Sequence, residues 1–333
     1  MGSNILAFII GLALCLCLGP FVIKISKRLK ASQTILHYVK EHSEKQGTPT
    51  MGGVLFIVGC ILSSLLFLNR PSTLALVTLV VTLGFGILGF LDDFIKVKYK
   101  QNEGLKPYQK IIGQVGISLL VAIFVYNFVG SDVLIPFTLK SWDLGWFIIP
   151  VVMFVFIAVV NSVNLIDGLD GLSTGVTIFF VLGFVLFFSV FSNVLNLNDL
   201  LAGEYSNLIT VCYSMLGCLL AFLFFNCFPA KIFMGDTGSL ALGGFITCIC
   251  IFTKTLLFIP ILGIMYVITA LSDIIQVIHY KRTKKRVFLM APLHHHFQKK
   301  GVHENRIVAI YMIITAIMFS LNILITYLAN GGL

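Results

Sequence analysis

Charge is what this sequence has least of. Only 11% of its 333 residues are Asp, Glu, Lys or Arg, against roughly 25% in an ordinary soluble domain. So little charge excludes a soluble globular enzyme and a charge-rich disordered chain. Cysteine is also sparse in any useful arrangement. The eight Cys include no CxxC pair, and the two CxC pairs have no partner ligands. This excludes a secreted disulfide framework and a zinc ribbon. All eight lie in or beside apolar stretches and read as small buried or lipid-facing thiols. There is no long polar linker and no repeat with a period of roughly 20–50 residues. The expectation is one membrane-embedded domain covering residues 1–333.

What fills the chain instead is apolar, at 58% of all residues. The apolar residues run in continuous blocks and do not alternate, which argues against an outer-membrane barrel and for helices. Ten blocks can be drawn, at Ile5–Val22, Met51–Leu68, Thr73–Leu91, Ile111–Val129, Trp146–Val160, Val176–Phe191, Leu208–Phe228, Leu240–Phe252, Leu256–Ile278 and Ile307–Leu328. The eighth is the shortest. A span needs about 20 apolar residues, so the predicted fold is an all-α polytopic membrane protein with about ten transmembrane helices.

Lys and Arg orient it. None precedes the first block, and Lys24, Lys27, Arg28 and Lys30 follow it. That order places the N-terminus outside and argues against a cleaved signal peptide. With alternating loops, 20 of the 23 Lys and Arg fall inside, and only Arg70, Lys140 and Lys254 fall outside. The net charge of +9 is thereby explained by membrane topology, without nucleic acid. Ten spans put the C-terminus outside as well. The outside segment 130–145 reads as a short hairpin, and 192–206 as a polar stretch with room for a short helix. Neither carries a cluster of functional side chains, so the chemistry belongs to the cytoplasmic side.

Acids gather there. Asp92, Asp93, Asp167, Asp170 and Asp236 fall at the cytoplasmic ends of spans, where an unpaired carboxylate is costly. Adjacent Asp92 and Asp93 repel unless a cation or a shared proton relieves them; a solvated acidic cap beside Lys96, Lys98 and Lys100 is the plainer reading. Asn161, Asn164 and Asp167 repeat every third residue, a spacing that shares one helix face, before the Gly168–Gly171 turn. Such a turn exposes backbone N–H groups to an anion, or simply ends a polar helix. Gly235-Asp236-Thr237-Gly238-Ser239 bends sharply and presents an acid beside hydroxyls, or caps a helix. Three loops each offering an Asp suit a hard cation such as Mg²⁺, and hence phosphate chemistry. His294, His295 and His296 are compatible with zinc, with a phosphate-binding or acid–base cluster, or with a loop of no special role. The basic run 281–286 suits anionic lipid headgroups or a phosphorylated substrate, or marks a stop-transfer flank. Asp273 lies within the ninth block and needs a partner.

Five segments together carry a resemblance. Gly47–Gly53, Leu91–Phe94, Asn161–Leu172, Pro229–Gly244 and Met290–Phe297 resemble, in order, the motifs of the phospho-N-acetylmuramoyl-pentapeptide-transferase family. That family belongs to the wider polyprenyl-phosphate sugar-1-phosphate transferases; the Ala291–His296 segment looks like the muramoyl-pentapeptide branch and not the N-acetylglucosamine one. The resemblance implies transfer of phospho-N-acetylmuramoyl-pentapeptide from its UDP donor to undecaprenyl phosphate, with Mg²⁺, in the bacterial cytoplasmic membrane. It implies Asp236 as the metal ligand, with Asp92 and Asp93 activating the lipid phosphate or helping to hold the ion. Asp167, Gly168, Leu169 and Asp170 correspond to a nucleoside site, with Asn161, Asn164 and Asn226 nearby and Phe233 stacked on uracil. Lys45 and Thr50 would lie beside the nucleotide, Lys96, Lys100 and Lys110 would meet phosphate, and His294–His296 would cover the diphosphate or sugar. A homodimer is implied too. Gln298, Val302, His303, Ile166 and Ser173 depart from the common pattern without removing any Asp or His of the motifs. A transporter would instead place its acids near mid-membrane in matching halves, and here only Asp273 lies well inside a span.

Overall fold

The computed structural model describes residues 2–28, 47–69, 72–101, 103–191 and 199–331. Lys45 lies outside them. All ten apolar blocks fall on helix. The helices are α1 (Gly2–Arg28), α2 (Gly53–Phe67), α3 (Thr73–Tyr99), α4 (Pro107–Phe124), α5 (Ile148–Ile166), α6 (Leu172–Phe191), α7 (Asp199–Asn226), α8 (Gly235–Phe252), α9 (Ile259–Leu262), α10 (Ile264–Thr283), α11 (Leu293–Lys299) and α12 (Glu304–Ala329). Among the described residues, eight helices are long and apolar enough to cross a membrane.

Two blocks depart from a straight span. The second forms α2, only 15 residues long. The ninth breaks at Gly263, where Leu256–Leu262 and Ile264–Thr283 meet at 81°. The seventh starts earlier than its apolar block: residues from Asp199 onward, expected in a separate short helix, extend α7 as its first turns.

The middle of the molecule is α8. It is buried along nearly its whole length and packs on α3 and α5. With no hydrophobic drive between helices in lipid, such packing depends on small residues that let backbones approach. Gly89 of α3 lies directly against the Asp236 carbonyl of α8, where even a methyl group would collide with backbone. Two buried hydroxyls of these helices are satisfied within their own helix; Thr82 donates to the Thr78 carbonyl at 2.7 Å and Thr247 to the Gly243 carbonyl at 2.7 Å.

The expected hairpin is present. β1 (Asp132–Leu134) pairs antiparallel with β2 (Ser141–Asp143) beyond the end of α4. Lys254 fastens it, with its Nζ 2.6 Å from Asp132 and its carbonyl accepting from the Leu134 N–H at 2.8 Å. Also remote from the Asp-bearing ends, the Glu204 carboxylate on α7 accepts from the Thr73 and Leu74 N–H groups and so caps the start of α3. Every Asp-bearing motif falls at the other ends of the helices concerned.

Candidate active site

Two helices bring three acids together. Asp92 and Asp93 stand in the last turns of α3, and Asp236 opens α8. Asp92 and Asp93 are fully buried. One carboxylate oxygen from each of the three lies within 4.8 Å of the others.

Their roles differ. Asp93 is consumed by the start of α8: its oxygens accept from the Asp236 N–H at 3.2 Å, the Thr237 N–H at 2.9 Å and the Thr237 hydroxyl at 2.7 Å. A carboxylate at a helix N-terminus satisfies donors that have no partner in the helix and meets the positive end of its dipole. Gly235, at φ +72°, makes the entry turn possible; a side chain there would strike the Asp93 carboxylate and the Thr50 hydroxyl. Thr50 is thus buried behind Asp93.

Asp92 and Asp236 share two cations. Lys96 Nζ lies 2.5 Å from Asp92 and 2.9 Å from Asp236, and Lys110 Nζ lies 3.1 Å and 2.6 Å from the same two groups. The Leu105 N–H donates to Asp92 at 2.8 Å, and the Asn164 amide donates to Asp236 at 2.8 Å. Two ammonium groups thus face three carboxyl groups. The cluster can hold a metal ion. Its donors are hard oxygens, the set that selects Mg²⁺ over zinc, and all three acids offer an oxygen close enough to the others to share one ion.

The turn after α5 closes one side. Asp167 ends that helix, and its carboxylate has no hydrogen-bond partner among the described residues. Burial, reinforced by the charges of Asp236, Asp93 and Asp170, pushes its pKa well above the usual carboxylate range. Gly168 lies against the imidazoles of His294 and His295; a Cβ there would come within 2.9 Å of His295 Nε2 and closer still to His294. Only glycine lets the turn meet the histidines. Leu169 is buried in the core, and Asp170 accepts from the Ala230 N–H at 3.0 Å.

The three histidines divide. His294 is buried, its ring centroid 4.4 Å from that of His295 and 6.4 Å from that of Tyr311. His295 Nδ1 lies 3.0 Å from Gln298 Oε1. His296 turns away: its Nδ1 accepts from the Leu289 N–H at 3.0 Å, and it meets the Phe288 ring edge-on. Desolvation and the charge of Lys300 lower its pKa, consistent with a neutral acceptor. His296 therefore holds its own loop in place, and His294 and His295 face the Gly168 turn. Gln276 and Ser272 of α10 tie the same loop down, through the Val287, Phe288 and Leu293 N–H groups.

Other predicted residues scatter. Asn161 pairs with Gln114 across α4 and α5, its amide donating at 2.8 Å, away from the acids. Asn226 is buried, accepting from the Thr174 hydroxyl and donating to the Ile232 carbonyl. It shapes the loop that carries Phe233. Phe233 is half-buried and locked by its backbone, donating to the Pro49 carbonyl and accepting from the Gly52 N–H. Lys100 is exposed at the C-cap of α3 and joins no acid among the described residues.

The whole chain has close counterparts. The transferase of Thermoanaerobacter sp. (strain X514), named phospho-N-acetylmuramoyl-pentapeptide-transferase, is 43% identical over 319 residues, 96% of this chain and 97% of its own. The chain belongs to the phospho-N-acetylmuramoyl-pentapeptide-transferase family. Proteins of the same name from Clostridium novyi (strain NT) and Desulfitobacterium hafniense (strain DSM 10664 / DCB-2) are 40% and 41% identical, covering 99% and 98% of both chains respectively. The model of Glycosyl transferase family 4 matches residues 74–254. The phospho-N-acetylmuramoyl-pentapeptide-transferase signature 1 matches residues 45–57, the segment before and into α2. The chain is therefore a multi-pass membrane transferase of peptidoglycan synthesis, and its acidic cluster lies within the region matched by the family 4 model.

Proposed function

We propose that the protein transfers phospho-N-acetylmuramoyl-pentapeptide from its UDP conjugate to undecaprenyl phosphate, releasing UMP and forming lipid I. The observation that carries this is the Asp92–Asp236 pair with Lys96 and Lys110 between them, at the ends of apolar helices. The family's name supplies the substrates. The protein works as one transferase unit, as a homodimer in the bacterial cytoplasmic membrane, with both termini outside and the cluster facing the cytoplasm; the basic run 281–286 meets anionic lipid.

Asp236 and Asp92 would hold Mg²⁺, which when bound neutralises charge on the diphosphate. Lys96 and Lys110 are within reach of the same phosphate oxygens and stabilise charge that builds there. The acceptor needs little help to become a nucleophile, because a phosphate monoester with a second pKa of about 6 is largely dianionic at neutral pH. Asp93 fixes the start of α8 and so the aim of Asp236. Phe233 offers a face for uracil, Lys45 and Thr50 flank the nucleotide, and Asp167 contacts the nucleoside. His294 and His295 close over the diphosphate and exclude water from the reacting phosphorus.

The test is UMP release by purified protein with undecaprenyl phosphate and Mg²⁺, comparing UDP-N-acetylmuramoyl-pentapeptide with UDP-N-acetylglucosamine and including a chelator control. Release from the pentapeptide donor alone, lost on chelation, is expected. Release from the N-acetylglucosamine donor instead would overturn the choice of substrate.

A further inference from the structure

Glu304 is the first residue of α12 and only 6% exposed. An acid in a first helical turn usually complements the helix dipole at a wet surface. This one is buried and reaches across 134 residues of sequence, where its Oε1 accepts from the Asp170 N–H at 2.5 Å. The next link runs onward: Asp170 accepts from the Ala230 N–H at 3.0 Å. Beside it, the His303 ring meets Phe228 edge-on, with centroids 5.3 Å apart. The His303–Glu304 step therefore touches both loops, 167–171 directly and 227–234 through Phe228 and Asp170.

The opposite side of the first loop is already fixed, since Gly168 lies against His294 and His295. α12 follows α11 after only four residues. The histidines and Glu304 thus grip one five-residue turn from two points on the same stretch of chain. We propose that Glu304 is a positioning residue for the nucleotide: it holds the 167–171 turn, and through Asp170 the loop leading to Phe233, in the geometry that receives uridine. This rests on the function proposed above. A charged acceptor makes a stronger and more directional bond to a backbone N–H than a neutral one, so a carboxylate here sets the turn more firmly than an amide would.

Three variants test it: Glu304→Ala, which removes the acceptor, Glu304→Asp, which withdraws it by one methylene, and Glu304→Gln, which keeps a neutral oxygen in place. Each is assayed for kcat and KM for the UDP donor, and separately titrated with UMP alone, without turnover. Expected for Glu304→Ala is a rise of about tenfold in donor KM and in the UMP dissociation constant, with kcat within about threefold. Glu304→Asp should fall between it and the wild type, and Glu304→Gln should recover most of the affinity. Wild-type KM and UMP affinity in folded Glu304→Ala would overturn the inference. So would a fall in kcat and thermal stability with KM unchanged, the mark of a purely structural acid. Should Glu304→Ala fail to fold, Glu304→Asp and Glu304→Gln decide by the same two readouts. Wild-type protein that neither binds UMP nor turns over the donor would reject the proposed function itself, a result separate from any of these.

Discussion

The molecule uses Lys and Asp at both ends of its helical bundle, to different effect. At the hairpin end, Lys254 and Asp132 form a one-to-one pair at 2.6 Å, partly open to solvent, and the same lysine's carbonyl holds β1. At the motif end, Lys96 and Lys110 are each shared between Asp92 and Asp236, and the acids are more deeply buried. A one-to-one pair is satisfied by its partner, and exposed pairs of that kind are worth at most about 1 kcal/mol. In the cluster each lysine is divided between two acids, so no acid there has an ammonium group to itself. Ion pairing by itself does not separate the two ends; sharing and burial do.

The sharpest way to break that contrast is to neutralise one acid at each end. Asp236→Asn should lower turnover by about a hundredfold or more and flatten the Mg²⁺ dependence, in line with losing a charge that acts on the transition state. Asp132→Asn should leave turnover within about twofold and lower thermal stability slightly. Equal losses would erase the distinction. Next in size is the division among the histidines. His295→Ala should cut kcat by about tenfold or more, and His296→Ala, which affects only its own loop, should do so by less. Phe233→Ala should raise the donor KM by about tenfold with little change in kcat, as expected when one base loses its aromatic platform; an unchanged KM would remove the residue from the nucleotide site.

The smallest effect concerns stability. Desolvation and the neighbouring charges of Asp236, Asp93 and Asp170 hold the Asp167 pKa above the ordinary carboxylate value in the folded protein. Folding is then most favourable when Asp167 is protonated, and that advantage is lost as pH rises through its raised folded pKa. Asp167→Asn mimics the protonated form. It should raise the melting temperature by a few degrees at neutral pH, with the gain vanishing below about pH 4, where the unfolded group is protonated as well. A gain that persisted in acid would assign the effect to something other than charge.

Much of this was readable in the sequence. Continuous apolar blocks are so strongly determined by the lipid that all ten fell on helix, and the acids sat at helix ends where chain geometry had to gather them. The break at Gly263 was not readable, because the apolar run continues through it. Site membership was harder. Asn161 and Asn164 share a helix face, yet one is taken by Gln114 and the other reaches Asp236. A three-residue spacing gives direction but not the identity of the neighbour. Asp93 and Asp92 look interchangeable as a pair, and only the start of α8 separates them. Glu304 gave no signal beyond an acid at the start of a helix, since its partner is 134 residues away.

The brevity of α2 has a consequence for the whole molecule. Among the described residues the eight long helices and the bent pair offer up to nine crossings; α2, if it crosses too, makes a tenth. At 1.5 Å per residue, 15 residues span about 22 Å, less than the roughly 30 Å of hydrocarbon. Parity therefore hangs on the shortest helix. Because α2 precedes α3, it determines which compartment every later loop faces, and with it the side of the membrane on which Asp92, Asp236 and the histidines lie.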